Sequence, residues 1–228
     1  MTSVDIASPR SPFDPSADSL LGARLSRLWR RCLLPGAISS PGEVWSALRS
    51  RYAEPHRHYH DKNHLAHCLA QLDLAKDQIE QLDQVELAIW FHDVINDPGR
   101  DDNEARSAAF FRDMAAGVMD EGLVDSVVDL ILVTTHREMP SAMDQCFICD
   151  IDLSSFGCPW ECYMRDTQKV KAEFQGPAEE YYRGKKGFLE AMLRRPKIFQ
   201  TDFFHARYEQ QARENIGRLL ALMDRGQY

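Results

Sequence analysis

The chain has 228 residues, 44% of them hydrophobic, enough for one well-filled domain and too few for two large ones. Twelve glycines and eleven prolines exclude collagenous and low-complexity classes, and a formal net charge of -8 argues against duplex nucleic acid, whose polyphosphate backbone such a surface repels. No apolar run approaches the roughly 20 residues that span a bilayer, and the opening MTSVDIASPR lacks the apolar centre of a signal peptide. The expectation is therefore a cytoplasmic protein without a membrane partner, whose six cysteines are reduced thiols or metal ligands.

Residues 1–18, rich in Ser, Pro and Asp, read as a disordered leader, and 19–228 as a single helical domain. Leu20, Leu21, Leu25, Leu28 and Trp29 share one helical face, and Pro35-Gly36 closes that helix. Ser40-Pro41-Gly42-Glu43 is the cap and first turn of a second helix through Arg51. A third is expected from about Lys62 to Glu80, with Leu65, Leu69, Leu72 and Ile79 inward. The fourth, Val85 to Val94, is apolar nearly all round at Leu87-Ala88-Ile89-Trp90-Phe91 and so belongs in the core. Pro98-Gly99 breaks it, and Asp101 to Glu104 starts another helix with an anionic first turn. Val124, Val127, Val128, Ile131 and Thr135 form a further stripe that ends near His136. The stretch from Pro140 to Trp160, Phe147–Ile151 above all, has the weakest signal. Helices over 161–175 and 178–194 and a last one from Thr201 through Met223 complete an all-α reading.

Five of the eight histidines crowd between His56 and His67, in PHRHYHDKNHLAH. His60 and His64, four apart, are expected to share a helix face. His92-Asp93 follows at the end of the most buried helix, and two antiparallel helices would bring His64 and His92 together. A His-Asp dipeptide by itself occurs by chance in about a third of chains this long, so the pairing with YHxxxH carries the weight. Imidazole and carboxylate donors suit a divalent transition metal (Mn, Zn, Fe, Co or Ni, with Mg a further option) better than Ca.

Tyr59-His60 to His64, then Phe91-His92-Asp93-Val94, then Asp150-Ile151-Asp152-Leu153-Ser154, resemble the HD superfamily of metal-dependent phosphohydrolases, and a family of HD phosphohydrolases within it is similar from about residue 20 to the closing FFHARYEQQARENI. The resemblance implies an HD-domain helical bundle. It implies His64, His92, Asp93 and Asp152 as metal ligands, with Asp150 the rival to Asp152, and His60 as proton donor. It also implies a small phosphorylated substrate, a nucleotide or a related phosphomonoester or phosphodiester, hydrolysed by metal-activated water. Where similar phosphodiesterases carry a further histidine after the HD pair, this chain has Asn96-Asp97-Pro98-Gly99. His136 is the candidate to hold a second metal or a phosphate oxygen, against a plain helix-terminal role. Arg57 and the cluster Arg183, Lys185, Lys186 are candidates for gripping phosphate, the cluster reading first as a solvated helix face. Glu104 reads as a helix-start acid or as an orienting group behind a ligand.

Three rival readings stand beside this one. Cys146-x2-Cys149 and Cys158-x3-Cys162 together offer four thiolates for a structural zinc, against plain buried thiols. An HD-fold di-iron oxygenase would use His136 and one of the crowded histidines. A regulatory HD domain would bind a nucleotide without hydrolysing it.

Overall fold

In the computed structural model, which describes residues 15–228, the helical periodicity yields ten α-helices and, among the described residues, no strand, only an isolated antiparallel bridge between Leu33 and Met119. They are α1 (Pro15–Cys32), α2 (Pro41–Arg51), α3 (Lys62–Ala75), α4 (Leu82–Phe91), α5 (Asn103–Ala115), α6 (Glu121–Val133), α7 (Met143–Leu153), α8 (Trp160–Glu173), α9 (Ala178–Arg194) and α10 (Asp202–Asp224). One cluster of buried apolar side chains draws on all ten.

Most of the leader expected at 1–18 lies outside the described residues, but its last part does not stay irregular. The first helix starts at Pro15, and the Asp18 carboxylate accepts from Lys62 at 2.6 Å and from Arg49 at 3.3 Å. The third helix is shorter than its periodicity suggests: it ends at Ala75 and passes into a 3-10 turn, Lys76–Gln78. Phe147–Ile151 is helical, inside α7.

The centre of the fold is α4, where Val85 to Phe91 are all buried. Its one buried carboxylate, Glu86, accepts from Arg24 Nε at 2.8 Å, which removes the cost of an unpaired charge. Both ends of α4 are tied down by side chains from elsewhere. Asp144 of α7 accepts from the backbone N–H groups of Glu80 and Gln81, just before the helix. Arg57 donates to the carbonyls of Asp93 and Val94, just after it. These clamps grip the backbone at and just beyond both ends of the helix, so α4 is held in fixed register against α7 and the segment before α3.

A 3-10 turn, Ser154–Gly157, continues α7 and lies directly against α10. A methyl group on Gly157 would meet Tyr208 Cβ at 2.4 Å and its Cα at 2.9 Å, so only glycine permits this approach. Asn215 of α10 donates to the carbonyls of Phe156 and Cys158, each at 2.8 Å, fixing the corner from which α8 departs.

Candidate metal centre

Three helices deliver the polar cluster. His64 stands in the first turn of α3, whose N-cap Asp61 accepts from the Asn63 and His64 backbone N–H groups. His92 is the C-cap residue of α4 and Asp93 follows it, while Asp152 lies one residue from the end of α7. The two imidazoles face each other with Nε2 atoms 3.3 Å apart. Asp93 Oδ2 lies 3.4 Å from His64 Nε2 and 3.1 Å from His92 Nε2. Asp152 Oδ1 lies 3.1 Å and 3.6 Å from the same two atoms.

The donor set fits a divalent ion. Bonds of about 2.1 Å at right angles place neighbouring donors ~3 Å apart, which is the spacing found here. The His92 Nδ1–H donates to the Ile89 carbonyl at 2.8 Å, so Nε2 is the ring atom turned toward the cluster, where a proton or a metal ion can sit. Both histidines are almost fully buried while Asp93 and Asp152 stay partly exposed, so water screens these lone pairs and carboxylates only from one side. Burial disfavours charge on His64, but Cys68, Tyr59 and the two carboxylates outweigh it and hold the imidazole well above its ordinary range. Burial opposes charge on His92 too, and there Asp93 and Asp152 prevail. Burial would likewise raise Asp93 and Asp152. The surrounding histidines instead hold both carboxyls well below the usual range. The arrangement calls for positive charge at its centre.

Cys68, one helical turn after His64, places Sγ 3.6 Å from His64 Nε2. Together His64, Cys68, His92 and Asp152 present one donor atom each within 4.8 Å of one another, a buried group that could hold a metal ion. The thiol went unnoticed in the sequence although its i+4 spacing from His64 puts it on the same face.

The two rival aspartates diverge. Asp150, fully buried two residues before Asp152, accepts from the backbone N–H of Gln200 at 2.8 Å and from the N–H and Oγ of Thr201 at 2.7 Å each. It holds the start of α10 rather than joining the cluster, and burial pushes its carboxyl up to about 6. His136, in a left-handed conformation (φ 54°) beyond α6, places Nε2 2.8 Å from Asp152 Oδ2. Its nearest role is thus to orient Asp152, not to interact with a helix dipole.

His60 lies outside α3, in the turn before it, yet its ring centroid is 5.7 Å from that of His64. Its Nδ1–H donates to Glu173 Oε2 at 2.5 Å. Glu173 Oε1 accepts the backbone N–H groups of His58, Tyr59 and His60 at 2.7, 2.7 and 2.9 Å. Burial alone would raise this carboxyl; His60 and the amides hold it down to about 2. An ionised Glu173 therefore fixes the ring orientation and leaves Nε2 for other work. Glu173, 113 residues away in the chain, had no local signal in the sequence. Tyr59 packs against both rings, with centroids 4.9 Å from each, and shares a hydrogen bond with Ser155.

Arg57 is not available to grip phosphate. Its side chain is fully buried, stacked 5.2 Å over Tyr52, and it donates to Glu54, to the His60 carbonyl at 3.0 Å, and to the Asp93 and Val94 carbonyls at 2.6 and 2.9 Å. The guanidinium is an internal clamp that ties the His60 turn to the end of α4. Other crowded histidines are used structurally: His56 Nε2–H donates to the Asn96 carbonyl at 2.7 Å, and His67 contacts Ser154 Oγ at 2.8 Å. Glu104 is half-buried at the start of α5. Burial pushes its carboxyl up, and Asp93 and Asp152 add to that. The four thiols Cys146, Cys149, Cys158 and Cys162 form no metal-holding group among the described residues, so the rival structural-zinc reading finds no support. No helix among the described residues is long and apolar enough to cross a membrane. Comparison with family models, with curated proteins and with solved structures finds no match to this chain.

Proposed function

We propose that this protein is a metal-dependent phosphohydrolase of the HD type, acting on a small phosphate ester. One observation carries the reading: two imidazoles 3.3 Å apart, each within 3.6 Å of the same two carboxylates, lie beside the His60–Glu173 pair, and His60 and Asp152 line one cavity. His64, His92, Asp93 and Asp152 would hold the ion, with Cys68 at the edge of the set. The mixed nitrogen and oxygen donors favour Mn, Zn, Fe, Co or Ni.

A divalent ion there supplies Lewis-acid polarisation of a phosphoryl oxygen and activation of water near neutral pH. The chain's own residues do the rest. His60, as an imidazolium with its Nδ1–H committed to Glu173, would give its Nε2 proton to the leaving oxygen and be left as the neutral Nδ1–H ring. Glu173 keeps that ring in one orientation and one tautomer. His136 holds Asp152 so that its other oxygen faces His64 and His92. Phosphoryl transfer asks mainly for positioning and charge neutralisation, and a buried, rigid cluster provides both. A di-iron oxygenase finds less support, because His56 and His67 are engaged with Asn96 and Ser154 and His136 with Asp152.

The test is metal analysis and a phosphatase screen on His92→Ala and Asp93→Ala. Both variants are expected to lose stoichiometric metal and all phosphatase activity while keeping their helical circular dichroism. Stoichiometric metal and turnover in either one would refute the assignment.

A further inference from the structure

The cavity beside the cluster has a volume of about 160 Å³, and its lining includes His60, His136 and Asp152 together with Phe156, Lys185 and Phe188. Lys185 differs from its neighbours on α9. Arg183 is exposed, and Lys186 pairs with Asp224 at 2.6 Å. Among the described residues the Lys185 ammonium has no hydrogen-bond or ion-pair partner; its only charge-complementary neighbour is the Phe156 ring, 5.9 Å from Nζ to centroid. Partial burial pushes its pKa down to about 8, so at neutral pH it remains largely protonated.

A cation that lines a cavity with no anion of its own is free to pair with the anion that a ligand brings. We propose that Lys185 is the anion-binding residue of this cavity, holding an oxygen of a phosphate group whose remaining oxygens are turned toward Asp152, the one member of the cluster that lines the cavity. That the anion is a phosphate rests on the phosphohydrolase reading; that Lys185 awaits an anion rests on its own surroundings. The cavity falls below the roughly 300–1,000 Å³ of sites for drug-sized ligands, so it suits a phosphate carrying a small organic group rather than a dinucleotide. Asp166 lines the same cavity, and its Oδ1 lacks a hydrogen-bond partner, with only Arg165 Nε at 3.6 Å. A carboxylate in that position disfavours a second phosphate and favours a hydroxyl or amino donor on the organic group.

The experiment titrates inorganic phosphate calorimetrically at pH 7 into wild type, K185M and K185R, each Mn-loaded and metal-stripped, with bound metal measured in parallel. K185M is expected to bind phosphate about ten- to a hundredfold more weakly, the loss of one charge-assisted hydrogen bond. K185R should retain most of the affinity, and metal content and thermal midpoint should stay at wild-type values in both. Equal phosphate binding by K185M and wild type, or no phosphate binding by metal-loaded wild type, would overturn the proposal. If the chain held no Mn yet lost phosphate binding in K185M, the metal reading would fail and the Lys185 assignment would stand.

Discussion

The two walls of the cavity are built on opposite principles. On the wall formed by the His60 turn, His136 and α7, the charged side chains are answered from within the chain: His60 by Glu173, and Asp152 by His64, His92 and His136. On the wall formed by α8 and α9, Lys185 is answered among the described residues only by an aromatic ring. The first wall resembles a permanent fixture, whose geometry the fold maintains whether or not anything is bound. The second offers a cation that a ligand's own charge can meet. The general lesson is that a group's engagement, rather than its charge or its place in a motif, separates positioning from recognition.

If that contrast holds, substitutions on the first wall should damage chemistry and stability together, while Lys185 variants should damage binding alone. The largest effect on rate with metal retained is expected for His60→Ala: turnover of phosphate esters about 10²- to 10⁴-fold down. The deficit should shrink on substrates with good leaving groups, and a rate loss independent of leaving group would remove His60 as proton donor. Glu173→Gln is expected to slow turnover about 10- to 100-fold at full metal content. It should also alter the acid limb of stability. Because the Glu173 carboxyl is depressed from 4.5 to about 2 in the fold, its contribution is complete above pH 4.5 and is lost as pH falls through about 2. That contribution is about 3 kcal/mol, so urea unfolding at pH 3 and pH 7 should differ less in the variant than in wild type. An unchanged difference would mean that Glu173 carries no such load. The smallest effect is expected for Cys68→Ser, with metal affinity reduced by no more than about tenfold. Complete loss of metal would make the thiol a principal ligand and shift the site toward a softer, structural zinc.

Much of this was legible in the sequence, for reasons that are local. Ser40 before Pro41-Gly42-Glu43 marks the start of α2, and its side chain does accept from the Glu43 N–H. The apolar run ending in His92-Asp93 correctly marked the most buried helix. The convergence of His64, His92, Asp93 and Asp152 followed from motif order, and the geometry separates Asp152 from Asp150 because two residues on a helix differ by about 200° in direction. What could not be read were long-range pairings. Arg57 and Lys185 are both basic residues in plausible places, yet one is spent on three carbonyls and a carboxylate and the other is left open. No local pattern distinguishes them. Glu173 was invisible for the same reason, and α3 ended early because Lys76–Gln78 tighten into a 3-10 turn that periodicity alone does not announce.

The cluster is assembled from residues 64, 92, 93 and 152, which meet only once α3, α4 and α7 have packed. An ion with affinity for that cluster has no equivalent site on the unfolded chain, so each thousandfold excess of ion over its dissociation constant adds about 4 kcal/mol to the folded state. Cellular abundance of the protein would then follow metal supply: under scarcity the chain would be cleared faster by proteases, and the activity would fall through turnover of the polypeptide as well as through empty sites.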